Sequence, residues 1–180
     1  PQQRLVYVFP YGGTVTALDA QSGALRWSLQ LNQGQVIATQ PVLAEGTLYV
    51  PATDDPNVSP FSTMIYLTAI DAGAAASRAA GGQPVQAAWV ASINVNGQSP
   101  MLPMPPIYFE GVVYQSAWSQ WEQQLQINVV QVDPATGATT TLLIDAIGPW
   151  PALSPPSVPP VVTRLLQPPQ YSELAPALVF

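Results

Sequence analysis

The chain has 180 residues, a formal net charge of −6, only 8% charged residues, and neither histidine nor cysteine. Its four basic residues, Arg4, Arg26, Arg78 and Arg164, form no stripe able to neutralise phosphates, and no apolar run is long enough to span a membrane as a helix. Nucleic-acid binding and membrane insertion are therefore not expected, whereas 48% hydrophobic content predicts a folded, cored chain.

From the N-terminus, residues 5–9, 14–18 and 24–31 are apolar, β-branched or alternating runs that predict three strands. Tyr11-Gly12-Gly13 and Gln21-Ser22-Gly23 are the turns between them, with Asp19 placed to hydrogen-bond the turn backbone. Residues 41–50 then read as strand, Glu45-Gly46 turn and strand. Asp54-Asp55-Pro56-Asn57-Val58-Ser59-Pro60 has clustered oxygens of a kind that hold calcium, but lacks the spacing and bidentate Glu of a calcium loop, so an ordinary turn is expected.

Thr68-Ala69-Ile70-Asp71 repeats Thr16-Ala17-Leu18-Asp19. The small-residue stretch 73–82 reads as a mobile loop or one short helical turn, after which Gln86-Ala87-Ala88-Trp89 supplies a strand ending in tryptophan. Residues 106–115 repeat the strand, Glu-Gly turn and strand of 41–50. Trp118 and Trp121 follow, as core between blades or as exposed rings able to anchor a protein or stack on a sugar. Val130-Gln131-Val132-Asp133-Pro134-Ala135-Thr136-Gly137 is the third copy of the Asp motif, with Thr141 where tryptophan is expected.

Six of the twelve residues 149–160 are proline. Such a stretch predicts an extended arm or a degenerate blade, serving either as a partner-binding segment or as a linker. Ala175-Pro176-Ala177-Leu178-Val179-Phe180 resembles Gln40-Pro41-Val42-Leu43-Ala44, the first strand of a unit, whereas Arg4-Leu5-Val6-Tyr7-Val8 resembles Gly46-Thr47-Leu48-Tyr49-Val50, the second.

Asp19, Asp71 and Asp133 thus mark repeats 52 and 62 residues apart, each with room for four antiparallel strands. The predicted fold class is all-β, a series of β-propeller blades of which about three are readable, possible as part of a larger or intermolecularly completed propeller. The division is 1–147 for the blades, 148–174 for the Pro-rich arm or degenerate blade, and 175–180 for a closing or donated strand. The sequence opens at Pro1 without methionine or leader segment, which predicts a processed or excerpted chain.

These motifs resemble the quinoprotein-like, or PQQ-like repeat, propellers, whose blade signature is Ala-x-Asp-x-x-x-Gly-x-x-x-Trp. Ala17, Asp19, Gly23 and Trp27 fit it fully; Ala69, Asp71 and Trp89 fit around an insertion; Asp133 and Gly137 fit without the tryptophan. The resemblance covers roughly residues 4–147 and implies that Trp27 and Trp89 dock on neighbouring blades and that the protein lies outside the cytoplasm, periplasmic or extracellular. Quinoprotein dehydrogenases carry adjacent cysteines and a calcium-linked acidic site, which this sequence lacks. No catalytic, cofactor-binding or metal residues, and no cofactor, are therefore expected.

The reading that follows is a non-enzymatic structural or protein-binding module that self-associates with other protein chains, as a closed ring or a filament, with Trp118, Trp121 and Phe180 as candidate binding residues. Two other classes stay open: a fragment of a quinone-dependent dehydrogenase, and a carbohydrate- or cell-surface-binding propeller.

Overall fold

The computed structural model describes residues 4–10, 12–32, 34–55, 64–94, 98–121 and 124–149. Three antiparallel sheets follow one another along the chain, and none closes on itself. Blade 1 contains β1 (Leu5–Val8), β2 (Thr14–Asp19) and β3 (Leu25–Gln30). Blade 2 contains β4 (Gln35–Ile37), β5 (Val42–Ala44), β6 (Thr47–Asp54), β7 (Met64–Asp71) and β8 (Trp89–Asn94). Blade 3 contains β9 (Gln98–Pro103), β10 (Ile107–Phe109), β11 (Val112–Trp121), β12 (Gln124–Val132) and β13 (Thr139–Pro149).

Blades 2 and 3 each show four strand positions, because the first position is shared by two short strands. Both β4 and β5 pair with β6, and both β9 and β10 pair with β11. The interruptions fall at Pro41 and at Pro105-Pro106, where a missing N–H ends the ladder. In blade 3 the side chain of Gln115 bridges the gap, its Nε2 donating to the Met104 carbonyl at 2.8 Å. The following hairpins are two-residue turns: Glu45 and Gly46 have φ of 47° and 79°, Glu110 and Gly111 have 48° and 78°. Positive φ at both central positions gives the turn the twist of the strands it joins.

The Asp motifs have one local chemistry and two outcomes. Asp19 Oδ1 accepts the amides of Gln21 and Ser22, and the Gly23 amide closes back on the Asp19 carbonyl. Asp133 repeats this with Ala135, Thr136 and Gly137. Asp71 also takes the amide three residues on, from Ala74 at 2.8 Å, but there it caps a helix, α1 (Ala72–Ala80). The expected mobile loop or single turn is thus corrected to a nine-residue helix, favoured by an alanine-rich sequence, the Asp71 cap and burial of Ala75.

Two apolar clusters join consecutive blades. Val15, Ala17 and Trp27 of blade 1 pack with Leu48, Val50, Ala52, Ile70 and α1's Ala75. Tyr49, Leu67, Ala69 and Ile93 of blade 2 pack with Val113, Ala117, Val130 and Val132 of blade 3, with Trp89 against them. Neither cluster joins blades 1 and 3.

Candidate functional site

The face that each blade turns to the next is organised by one row of three residues. Tyr7 lies opposite Ala17, which lies opposite Trp27; in blade 2 the row is Tyr49, Ala69 and Trp89. The central alanines are fully buried and small, so the rings on either side meet over them, with centroids 5.8 Å apart for Tyr7 and Trp27 and 5.9 Å for Tyr49 and Trp89. The motif alanine is thus clearance for an aromatic pair. In blade 3 the row is Tyr114, Gln131 and Thr140. A larger central residue accompanies loss of the tryptophan. Thr140 replaces the expected Thr141 because the bulge that sets Trp27 opposite Ala17 falls farther along β13. The tyrosine was legible as a recurring residue in Leu5-Val6-Tyr7, Thr47-Leu48-Tyr49 and Val112-Val113-Tyr114, but only the register links it to the tryptophan.

The two boundaries differ in their polar contacts. Trp89 Nε1 donates to the Pro134 carbonyl at 2.8 Å, on the Asp133 turn of blade 3. Trp27 Nε1 is buried without a hydrogen-bond partner. Its counterpart to Pro134 is Ala72, the first residue of α1, whose carbonyl the helix ladder uses. The second boundary also stacks Tyr49 on Tyr108, 6.1 Å between centroids. The Tyr108 hydroxyl donates to the Glu45 carboxylate, which holds the phenol protonated and pushes its pKa up to about 12. At the rim of blade 1, Arg26 pairs with Asp19 at 2.7 Å and, with the Ser22 amide, holds that carboxyl well below the usual range.

Blade 1 carries two of the exposed large apolar side chains among the described residues. In blades 2 and 3, the strand equivalent to β1 carries β5 or β10 on its outer edge; among the described residues nothing pairs with that edge of β1. The face of blade 1 turned away from blade 2 carries Val6, Val8, Leu18 and Leu25. Val8 is 41% and Leu25 64% exposed, whereas Leu48, Val50 and Ile70, the counterparts of Val6, Val8 and Leu18, are at most 1% exposed.

The candidate residues from the sequence are not brought together. Trp118 is buried in β11, opposite Ile127, on the face of blade 3 turned away from blade 2. Trp121 ends β11 and pairs in register with Gln124. Phe180 and the Pro-rich stretch from 150 lie outside the described residues, as does most of the 54–60 loop. Among the described residues there is no group of three or more Asp or Glu placed to hold a metal, and no helix long and apolar enough to cross a membrane.

Blades joined in series by aromatic rows define a partial β-propeller of PQQ-like repeats. A family model described as "Outer membrane protein assembly factor BamB" matches residues 2–141, and the chain belongs to that family. No curated protein matches. Among solved structures, a europium-containing methanol dehydrogenase is similar with TM-score 0.52 and 12% identity, over 82% of this chain and 31% of the enzyme. A quinohemoprotein alcohol dehydrogenase from Pseudomonas putida HK5 is similar with TM-score 0.51 and 15% identity, over 81% of this chain and 25% of that one. BamB from Moraxella catarrhalis has TM-score 0.41 and 14% identity over 80% of this chain and 47% of its own. The chain therefore spans about a third or a quarter of the length of the two dehydrogenases.

These similarities correct the expectation of a non-enzymatic protein. Two structures that share the fold are alcohol-oxidising enzymes, so the blades do not set this chain apart from enzymes. The lack of His and Cys bears on catalysis only where the blades themselves carry the chemistry, whereas a fold is a scaffold on which function resides in particular sites.

Proposed function

We propose that this chain is a protein-interaction module of the cell envelope, outside the cytoplasm, that joins other protein chains, copies of itself included, through blade 1. One observation carries the reading: on the face of blade 1 turned away from blade 2, Val8 in the edge strand β1 is 41% and Leu25 64% exposed. An edge strand beside exposed apolar side chains is a template for another strand. Membership in a family described as an outer membrane protein assembly factor supports both the protein partner and the location. The low charge, 8% of residues, favours a surface that loses water at modest cost.

Within this reading, residues 1–147 are the blade series, 148–174 the arm that reaches a partner, and 175–180 a strand for pairing. Phe180 belongs to the contact, and Trp121 is a secondary candidate near the other end of the blade series, where the buried Trp118 supports β11 from within.

The test is the native mass of the full chain across a concentration series, alone and with envelope proteins, compared with Val8→Lys. The charged variant is expected to keep its far-UV spectrum and lose association. A full chain that stays monomeric and binds no protein overturns the reading. Saturable binding of a quinone with calcium, accompanied by dye-linked alcohol oxidation, replaces it with a catalytic one.

A further inference from the structure

We propose that α1 is a strap with two settings, one closed over the boundary between blades 1 and 2 as in this structure and one open, in which the Trp27 indole takes the carbonyl that the helix now uses. The helix stands in an excursion that the blade closes off beneath it. The β7–β8 ladder runs from Met64 opposite Asn94 to Ala69 opposite Trp89, and the Ala88 amide seals its end by donating to the Ala69 carbonyl at 2.8 Å. The other end is pinned by the Ala72 amide, which donates to the Gly46 carbonyl at 3.0 Å. Residues 73–87 therefore leave their seat without breaking a strand pair.

The closed setting is held by packing. Ala75, Ala76 and Ala79, with Val85 beyond the helix, belong to the apolar cluster that contains Val15, Ala17 and Trp27 of blade 1. A helix grown from blade 2 thus lies against blade 1. Its nine residues fall short of the roughly 12–15 at which an isolated helix is even marginally stable, so it depends on that contact. Gly73 in the first turn weakens it further. The hold consists of three methyl groups and one valine.

The open setting has a bond of its own. In blade 3 the carbonyl of Pro134, the residue after the motif aspartate, accepts the Trp89 N–H at 2.8 Å. The same position after Asp71 is Ala72, whose carbonyl is occupied in the helix by the Ala76 amide, and the Trp27 N–H is left buried without a partner. Unwinding the first turn of α1 returns that carbonyl to Trp27. Asp71 serves both settings, because its bond to the Ala74 amide at 2.8 Å is also the bond that Asp133 makes to Thr136 at 3.0 Å in a turn without a helix. One carbonyl thus has two competing donors, and the bond gained by Trp27 offsets part of the cost of opening. Opening uncovers the side of blade 1 that Ala75, Ala76 and Ala79 now cover.

The sequence contains no lysine, so trypsin cuts only after Arg4, Arg26, Arg78 and Arg164. Arg78 lies in α1, with its Nε donating to the Pro84 carbonyl at 2.8 Å, whereas Arg26 lies in β3. Below the urea unfolding transition, the bond after Arg78 is expected to be cut while the bond after Arg26 stays intact. Gly73→Ala, whose Cβ would meet only Asp71 Oδ1 at 3.4 Å, favours the helix and is expected to slow that cut about fivefold. Ala76→Pro removes the competing amide and breaks α1. It is expected to keep the far-UV strand signal, to speed the cut after Arg78, and to move the Trp27 indole N–H resonance, assigned with Trp27→Phe, downfield towards that of Trp89. A chain cut after Arg78 only once it unfolds overturns the strap, as do equal rates in the parent and Gly73→Ala. Loss of the strand signal in Ala76→Pro makes α1 integral to the blades and overturns it as well. An unmoved Trp27 resonance in a folded Ala76→Pro overturns the exchange of the Ala72 carbonyl.

Discussion

The Trp89 indole lies against Gly137 so closely that a Cβ on the glycine would sit 2.7 Å from a ring carbon. The same indole donates to the Pro134 carbonyl three residues earlier in the turn. Blade 2 is thus clasped to blade 3 by a ring that needs both a carbonyl and a bare Cα from the Asp133 turn. The motif glycine has two roles here: its φ of 74° suits a residue without a side chain, and its missing Cβ is the seat of the ring.

Gly137→Ala and Gly23→Ala separate those roles. Gly23 has φ 69°, but a Cβ there would meet nothing within 4 Å, so its substitution carries the backbone penalty alone, about 1–2 kcal/mol. Gly137→Ala adds overpacking against Trp89, about 1–3 kcal/mol more. Urea unfolding should give a larger loss for Gly137→Ala, with the Trp89 fluorescence altered only in that variant.

The tryptophans themselves should respond unequally. Trp27→Phe removes a buried N–H that has no partner, so lost packing is partly offset; Trp89→Phe breaks a bond and leaves the Pro134 carbonyl short of a donor. That hydrogen bond is only partly buried, so its loss is worth the net contribution of an ordinary one, about 0.5–1.5 kcal/mol. Trp89→Phe is expected to be the more destabilising by about that amount in chemical denaturation. Equal losses at the two sites would contradict the difference drawn between the boundaries.

Ala69→Leu tests the clearance under the aromatic pair. Ala69 is fully buried between Tyr49 and Trp89, whose rings meet over it. A larger side chain must push them apart, at a cost of about 1–3 kcal/mol. Gln131→Leu in blade 3, where Thr140 stands in place of the tryptophan, should cost less. Thermal unfolding of the two variants makes the comparison.

Much of this scaffold was legible in the residues. Strand, turn and repeat followed from alternation around Asp19, Gly23 and their copies, and docking of Trp27 and Trp89 followed from the repeat resemblance. What the sequence hid were effects of register and insertion. Asp71 begins with the same acceptor geometry as Asp19, and only the alanines after it divert the turn into α1. The place of Thr140 depends on a bulge that no spacing rule displays. The aromatic row depends on which residues face each other across two strands, a relation between segments up to 40 residues apart. The exposed face of blade 1 needed the buried counterparts in blade 2 for comparison.

Titration offers a last check, on the clasp between Glu45 and Tyr108. Hydrogen bonding to the Glu45 carboxylate favours the neutral phenol, with burial and the charge of Glu45 acting in the same direction, and the pKa reaches about 12. A folded pKa raised above the unfolded value near 10 means that the protonated phenol stabilises the fold below about pH 10. That contribution is lost as the pH rises from about 10 towards 12, because the unfolded chain releases the proton first. Phenolate absorbance of the folded protein should therefore contain one late step that Tyr108→Phe removes and Glu45→Gln moves to lower pH. Glu45→Gln should also flatten the loss of stability across that alkaline window. A late step that persists in Tyr108→Phe would place the perturbed phenol elsewhere, with Tyr49 and Tyr7, both raised by burial, the next to substitute.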